Sequence, residues 1–193
     1  AGELVLEKLP LVALAAAASA MTVIAQGTAI SIASHFTLGQ RLGNALVSLV
    51  RYLGATILPI GLSISYAHPG TWPATALLGA GLLLAGITLV VLRALPTRPW
   101  LAVGWLWYVG MLIPVIGVIQ VGEQAMADRY TYLPSIGLFA IAAWGIPELV
   151  PEFRFRSHAL LLGALAALAS FGVQTRAQVQ YWRNSDALWQ RAH

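Results

Sequence analysis

The stretch VGEQAMADRYTYLPSIG, Val121 to Gly137, sets two carboxylates, an arginine and two tyrosines between two hydrophobic segments. Ionisable groups at such a depth are costly and usually face a cavity or a partner. One reading makes Arg129 the holder of a phosphate or carboxylate at the outer membrane surface, with Asp128 beside it and Tyr130 and Tyr132 hydrogen-bonding nearby. Arginine suits that task because its planar fork donates two parallel hydrogen bonds. A plainer reading is an Asp128–Arg129 ion pair that satisfies a loop, with the tyrosines in an aromatic belt.

A second group of residues lies upstream. Arg41, Asn44, Ser48 and Arg51 recur at spacings of three, four and three, which is one stripe of a helix. Arg51 and Tyr52 are therefore further candidates for binding a lipid phosphate or substrate, and Tyr66 and His68 follow in the turn SYAHPGTWP. The competing reading is a helix lying among lipid headgroups, with His68 as a turn residue. His35, His158 and His193 have no companions at metal-ligand spacing. Cysteine is absent, and no P-loop, GxSxG or glycine-rich phosphate loop occurs. No metal, cofactor or soluble nucleotide chemistry is expected, and no catalytic residue is assigned.

These residues sit in a chain made for a bilayer. Of 193 residues, 59% are hydrophobic and 9% charged, far below the roughly 25% charged of an average soluble domain. Between Lys8 and Glu123 there is no acidic residue, only Arg41, Arg51, Arg93 and Arg98. Basic residues that punctuate apolar runs are membrane-flanking residues. A nucleic-acid binder would carry a basic stripe with interleaved polar residues, so no nucleic-acid partner is expected.

Segments near the roughly 20 residues that span a hydrocarbon core predict an all-α, polytopic membrane helix bundle. Spans are expected at 9–26, 73–92, 100–120, 133–150 and 158–174, about five in all. The segment 42–66, with Arg51 and Pro59, is expected to be an interfacial or re-entrant helix. In the fourth segment Trp100, Trp105, Trp107 and Tyr108 read as interface anchors and Pro114 as a kink. The turn holding Arg93 and Arg98 belongs in the cytoplasm, and the break holding Glu123, Asp128 and Arg129 outside, by the positive-inside rule. Residues 175–193 then form an external amphipathic helix. The opening AGELVLEKLP has no basic leader, so no cleavable signal peptide is expected. Ala1 in place of Met points to a processed chain or a piece of a longer one.

The segment ADRYTYLPSIG, Ala127 to Gly137, resembles the (A/E)-R-x-x-Y-L-P-S-x-G segment of the TMTC-type proteins. Those proteins join a multi-spanning GT-C glycosyltransferase-like membrane region to tetratricopeptide repeats. Bacterial members look similar also at EKLPLVALAAAASAMTVIAQ, at RLGNALVSLVRYLGATILPIGLSISYAHPG and at WRNSDALW, so the resemblance runs in order from Glu7 to Trp189. It implies a sugar donor carried on a polyprenyl phosphate and transfer to an exported protein at the outer face of the bacterial inner membrane. Arg129 would then neutralise the lipid phosphate, Arg51 would be a second basic contact, and Tyr130 and Tyr132 would shape the pocket. GT-C enzymes carry their acidic catalytic motif upstream of the stretch matched here. The chain is accordingly expected to be the carboxy-terminal half of such a region, not catalytic alone and leading towards repeats. The other expectation is a non-catalytic membrane subunit or scaffold packed in a larger complex, with membrane lipids and other subunits, or further parts of the same polypeptide, as partners.

Overall fold

The computed structural model describes residues 2–25, 36–63, 66–117 and 124–183. Glu123, His35, His193 and the tail from 184 onward, WRNSDALW included beyond Arg183, lie outside the described residues. Within them the chain is mostly helical, with six α-helices and a two-stranded ribbon. The helices are α1 (Gly2–Ala25), α2 (Leu38–Ile57), α3 (Ala74–Ala94), α4 (Pro99–Leu112), α5 (Tyr132–Leu149) and α6 (Arg156–Val179). The strands β1 (Tyr66–Ala67) and β2 (Gln124–Met126) pair antiparallel, Tyr66 opposite Met126 and Ala67 opposite Gln124.

Local chemistry sets the helix limits. Thr37 and Gln40 form a reciprocal capping box at the start of α2: the Gln40 amide donates to the Thr37 hydroxyl oxygen at 3.3 Å and the Thr37 amide to the Gln40 side-chain oxygen at 2.8 Å. The same helix stops at Leu58, which precedes Pro59 and is held extended at φ −135°, ψ 90°, because a proline disfavours helical geometry in the residue before it. Pro73 and Pro99 open α3 and α4, where a missing N–H costs nothing.

Three helices are long and apolar enough to cross a membrane: Ala74–Ala94, Asp128–Leu149, which adds the 3₁₀ turn before α5, and Arg156–Val179. Their outer faces are bare hydrocarbon, with Leu78, Leu82 and Val90 on α3, Phe139 and Trp144 on α5, and Leu161, Leu162 and Leu168 on α6 all exposed. The fourth segment departs from the expectation of a helix to 120. It ends at Leu112 and passes through turns at 113–117, so Pro114 follows the helix end instead of kinking its middle. Fourteen residues give α4 a length of about 21 Å. The first segment is helical to Ala25, although its apolar core Leu9–Met21 is short. Residues 175–179 continue α6 without a break.

α4 and α5 make the closest helix crossing. A Cβ on Gly104 would stand 2.6 Å from the Gly137 carbonyl oxygen, and one on Gly137 would meet the Gly104 carbonyl closer still. Small residues here let the two backbones touch. Polar side chains tie neighbouring helices together: the Trp105 indole donates to Thr88 on α3 at 3.0 Å, the Tyr108 hydroxyl to the Leu49 carbonyl on α2 at 2.6 Å, and the Trp107 indole to the Leu133 carbonyl at 2.8 Å. Trp105 and Tyr108 are 4% and 1% exposed. They are core side chains, and of the four aromatics read as interface anchors only Trp107 is substantially exposed.

α2 packs on α3 and α4, with Ala45 and Tyr52 in one core with Leu84, Val91, Trp105 and Tyr108, and on the side where α3 and α5 begin it carries the ribbon. Both ends of α2 are fastened to it. Phe36, just before the helix, stacks on His68 at 4.0 Å, and Ser63, just after it, donates its amide to Asp128 at 3.2 Å.

Candidate functional site: an arginine–tyrosine–aspartate cluster over the ribbon

The inner face of α2 is built from Asn44, Ser48 and Tyr52, one row at four-residue spacing. All three are fully buried, and all three bind the backbone of the segment 125–127. The Asn44 amide donates to the Ala125 carbonyl at 2.8 Å, and the Ser48 hydroxyl approaches the same oxygen at 3.5 Å. The Tyr52 hydroxyl accepts from the Ala127 N–H at 2.9 Å and donates to the Ala127 carbonyl at 3.2 Å. The phenol thereby supplies the partner of the Ala127 N–H, and shares the Ala127 carbonyl with the Tyr130 N–H, which donates to it at 3.0 Å; a buried peptide unit requires such partners. The polar stripe read as facing headgroups is, at Asn44 and Ser48, turned inward. Tyr52 clamps the ribbon, and its hydroxyl is fully engaged.

Arg51, one residue before Tyr52, emerges on the exposed side. Its guanidinium carbon lies 5.3 Å from the Tyr66 ring centre and 5.9 Å from that of Trp72, within cation–π range of both. Trp72 is fixed by its indole N–H to the Asn44 side-chain oxygen at 3.2 Å. The Tyr66 hydroxyl donates to Asp128, 3.0 and 3.1 Å from its two oxygens. The Ser63 amide points between that hydroxyl and the carboxylate, at 3.0 and 3.2 Å. Burial, chiefly, pushes the Tyr66 phenol up to about 12; the Asp128 charge adds to this, and the Arg51 charge opposes it. His68 accepts the Gly70 N–H on its Nδ1 at 3.0 Å, and burial lowers its basicity. Gly70 itself takes φ +75° in a tight turn closed by the Thr71 amide on the Pro69 carbonyl, a geometry that favours glycine.

The residues singled out in the sequence separate into two sets. Arg51, Tyr52 and Asp128 converge, joined by Tyr66 and Trp72. Arg129 and Tyr130 form a second pair, with the exposed Arg129 guanidinium 5.0 Å from the Tyr130 ring centre and the Gln124 amide donating to the Tyr130 hydroxyl at 3.4 Å. Asp128 and Arg129 do not pair with each other. The 3₁₀ turn Asp128–Thr131 sends adjacent side chains in different directions. Tyr132 is largely exposed, at the head of α5. Tyr66 and Trp72 were the members no local pattern could assign to Asp128 and Arg51, since Tyr66 and Asp128 are 62 residues apart and a two-residue strand has no readable period.

Among the described residues Arg51 and Arg129 have no carboxylate within ion-pairing distance, unlike Arg98, which meets Glu148 at 2.6 Å, or Arg156, which meets Glu152 at 3.5 Å. No three His, Asp or Glu side chains converge among the described residues. Protein-family models, curated proteins and solved structures were compared with the chain, and none matches.

Proposed function

We propose that the chain is an integral membrane protein whose arginine-bearing end holds a lipid-linked phosphate, as part of the membrane region of a GT-C-like glycosyltransferase that uses a polyprenyl-phosphate sugar. The observation that carries this reading is Arg51: a cation laid over Tyr66 and Trp72, beside Asp128 but not paired with it. The two rings hold the guanidinium by cation–π attraction, and a guanidinium without a carboxylate partner among the described residues can grip a phosphate bidentately. Arg129, stacked on Tyr130, supplies a second cation from the same segment that carries Asp128. On this reading the chain binds the donor and is not catalytic on its own.

On this reading α3, α5, α6, α1 and the shorter α4 form about five spans, with α2 lying at the interface. The fastening of both its ends to the ribbon layer favours that over a spanning helix. The arginine-bearing end and the carboxy terminus face the outside of a bacterial inner membrane, and Arg93 and Arg98 face the cytoplasm. Membrane lipids and the remaining parts of the enzyme are the partners.

A second reading, a non-catalytic membrane subunit or scaffold, is favoured by α6. None of its 24 residues is buried, so a long apolar surface is free to pack against another chain. The two are separated by Arg51→Ala and Arg129→Ala in the full-length protein. The glycosyltransferase reading expects sugar transfer from the polyprenyl phosphate to fall by at least tenfold while the melting temperature holds. Unchanged transfer in both variants, or loss of folding without any specific loss of donor binding, contradicts it.

A further inference from the structure

At the end of the molecule opposite the Arg51 cluster, a cavity of about 300 Å³ opens between α4 and α5. Leu101, Ile141, Ile146 and Leu149 give it an apolar wall, and the Trp100 ring closes one side against Gly145, where a Cβ would stand 3.2 Å from it. The charged residues that line it are Arg98 and Glu148. They form an ion pair through a single contact, Arg98 Nε to one Glu148 carboxylate oxygen at 2.6 Å. The Arg98 terminal nitrogens and the second Glu148 oxygen have no partner among the described residues. Both side chains are reachable, 49% and 39% exposed. A pair so placed adds little to stability, which leaves it open to share its charges with a ligand. Arg98 immediately precedes α4 and Glu148 lies in the last turn of α5, so the pair stands where two apolar helices reach the headgroup region, beside an indole of the kind that anchors there.

The placement of these charges selects the ligand. Arg98 stands at the positive N-terminus of α4 and Glu148 at the negative C-terminus of α5, each opposed by the dipole of its own helix. An anion beside Arg98 and a cation beside Glu148 relieve both at once, and a zwitterion carries the two on one molecule. We propose that this cavity binds a zwitterionic phospholipid with a primary ammonium headgroup, phosphatidylethanolamine, its phosphate on the free edge of Arg98, its ammonium on the free Glu148 oxygen and an acyl chain against the apolar wall. The guanidinium fork suits phosphate because it donates two parallel hydrogen bonds, and the ammonium brings three donors to the carboxylate. A choline headgroup has the same charges but no N–H, so it cannot hydrogen-bond to Glu148. A glycerol headgroup leaves its net negative charge beside Glu148 with no cation to offset it. The proposal goes beyond the preceding reading: it needs this end of the molecule to lie at a bilayer surface and uses neither Arg51 nor Arg129.

Native mass spectrometry of the full-length protein in detergent, titrated with phospholipids that differ only in headgroup, reads the affinity of the first bound lipid. Phosphatidylethanolamine should bind about tenfold tighter than phosphatidylcholine or phosphatidylglycerol, the ratio expected when a hydrogen bond to a charged acceptor is gained or lost. Glu148→Gln leaves the site cationic, so the order should invert: the ethanolamine lipid weakens about tenfold and the glycerol lipid becomes the tightest of the three. An ion pair with a structural role alone would not reorder the lipids. Ala142→Phe narrows the cavity without touching the pair and should cost the ethanolamine lipid a similar factor, which keeps the test decisive if the first variant does not fold. Equal binding of the three lipids, tighter binding of the glycerol lipid to the unsubstituted protein, or an ethanolamine preference that survives Glu148→Gln or Ala142→Phe overturns the proposal. No sugar donor enters the measurement, so its outcome is independent of the effect of Arg51→Ala on transfer from a polyprenyl phosphate.

Discussion

Tyr52 bears the heaviest structural duty of any single side chain in the cluster. Its hydroxyl accepts the Ala127 N–H in a fully buried setting, so Tyr52→Phe strands that N–H, whereas the Ala127 carbonyl keeps the Tyr130 N–H at 3.0 Å. A buried polar group left without its partner costs about 1–3 kcal/mol, and thermal unfolding in detergent should register a loss in that range. A change near zero would mean that water replaces the hydroxyl. The His68 ring makes a prediction about pH. Its Nδ1 accepts the Gly70 N–H, so the proton-free form is the one built in, and burial lowers its basicity in the folded chain. The unfolded chain therefore binds the proton first as pH falls below about 6.5, the usual histidine value, and stability present above that value is lost on acidification. His68→Asn, whose side-chain oxygen can accept the same N–H two residues on, should remove this slope while keeping the turn. At this scale the sequence disclosed which residues were chemical but not which face they took. Arg51 and Tyr52 are neighbours in the chain, yet one is a free cation and the other an internal clamp, and only the position of segment 125–127 decides between them.

At the scale of elements, the seam between α4 and α5 depends on two glycines whose missing side chains let carbonyl and backbone meet. Gly104→Ala or Gly137→Ala forces the helices apart, at a cost of about 1–3 kcal/mol for overpacking a tight contact. Gly163 on α6, where a Cβ would meet nothing within 4 Å, is the control, and Gly163→Ala should not destabilise. Equal melting temperatures for all three variants would contradict the close crossing. The long helices α3, α5 and α6 could be read from hydropathy alone, because an uninterrupted apolar run has few other fates. The end of α4 could not. Val115 to Val118 remain apolar beyond Leu112, and Pro114, which has no N–H to continue the helical ladder, follows directly after the helix end. The capping box at Thr37 and Gln40 starts α2 at Leu38, ahead of the expected 42, and β1 and β2 are too short for any periodicity and are specified by Tyr52, Asn44 and the pairing itself.

The whole molecule is polarised. One end carries Arg51, Asp128 and Arg129 with their aromatic partners, and the other carries the paired arginines Arg98 and Arg156. Between them lies an apolar belt of exposed leucines. Composition revealed the belt, and the charges at its margins suggested the ends, but a cavity between α2, α5 and α6 depends on residues from Ala55 to Thr175 that no local pattern connects. The proposed topology puts the arginine-bearing end, α2 included, on the outer side of a membrane and the Arg93–Arg98 turn on the inner side. Sided labelling tests it most directly in this cysteine-free chain, with single cysteines placed in the full-length protein at Gly39, where a side chain would meet nothing within 4 Å, at Thr71 and at Thr97. With that topology, Gly39→Cys and Thr71→Cys react with an impermeant maleimide from outside and Thr97→Cys only from inside. Opposite sidedness for Gly39→Cys and Thr71→Cys would make α2 a spanning helix and break the layer that carries the site.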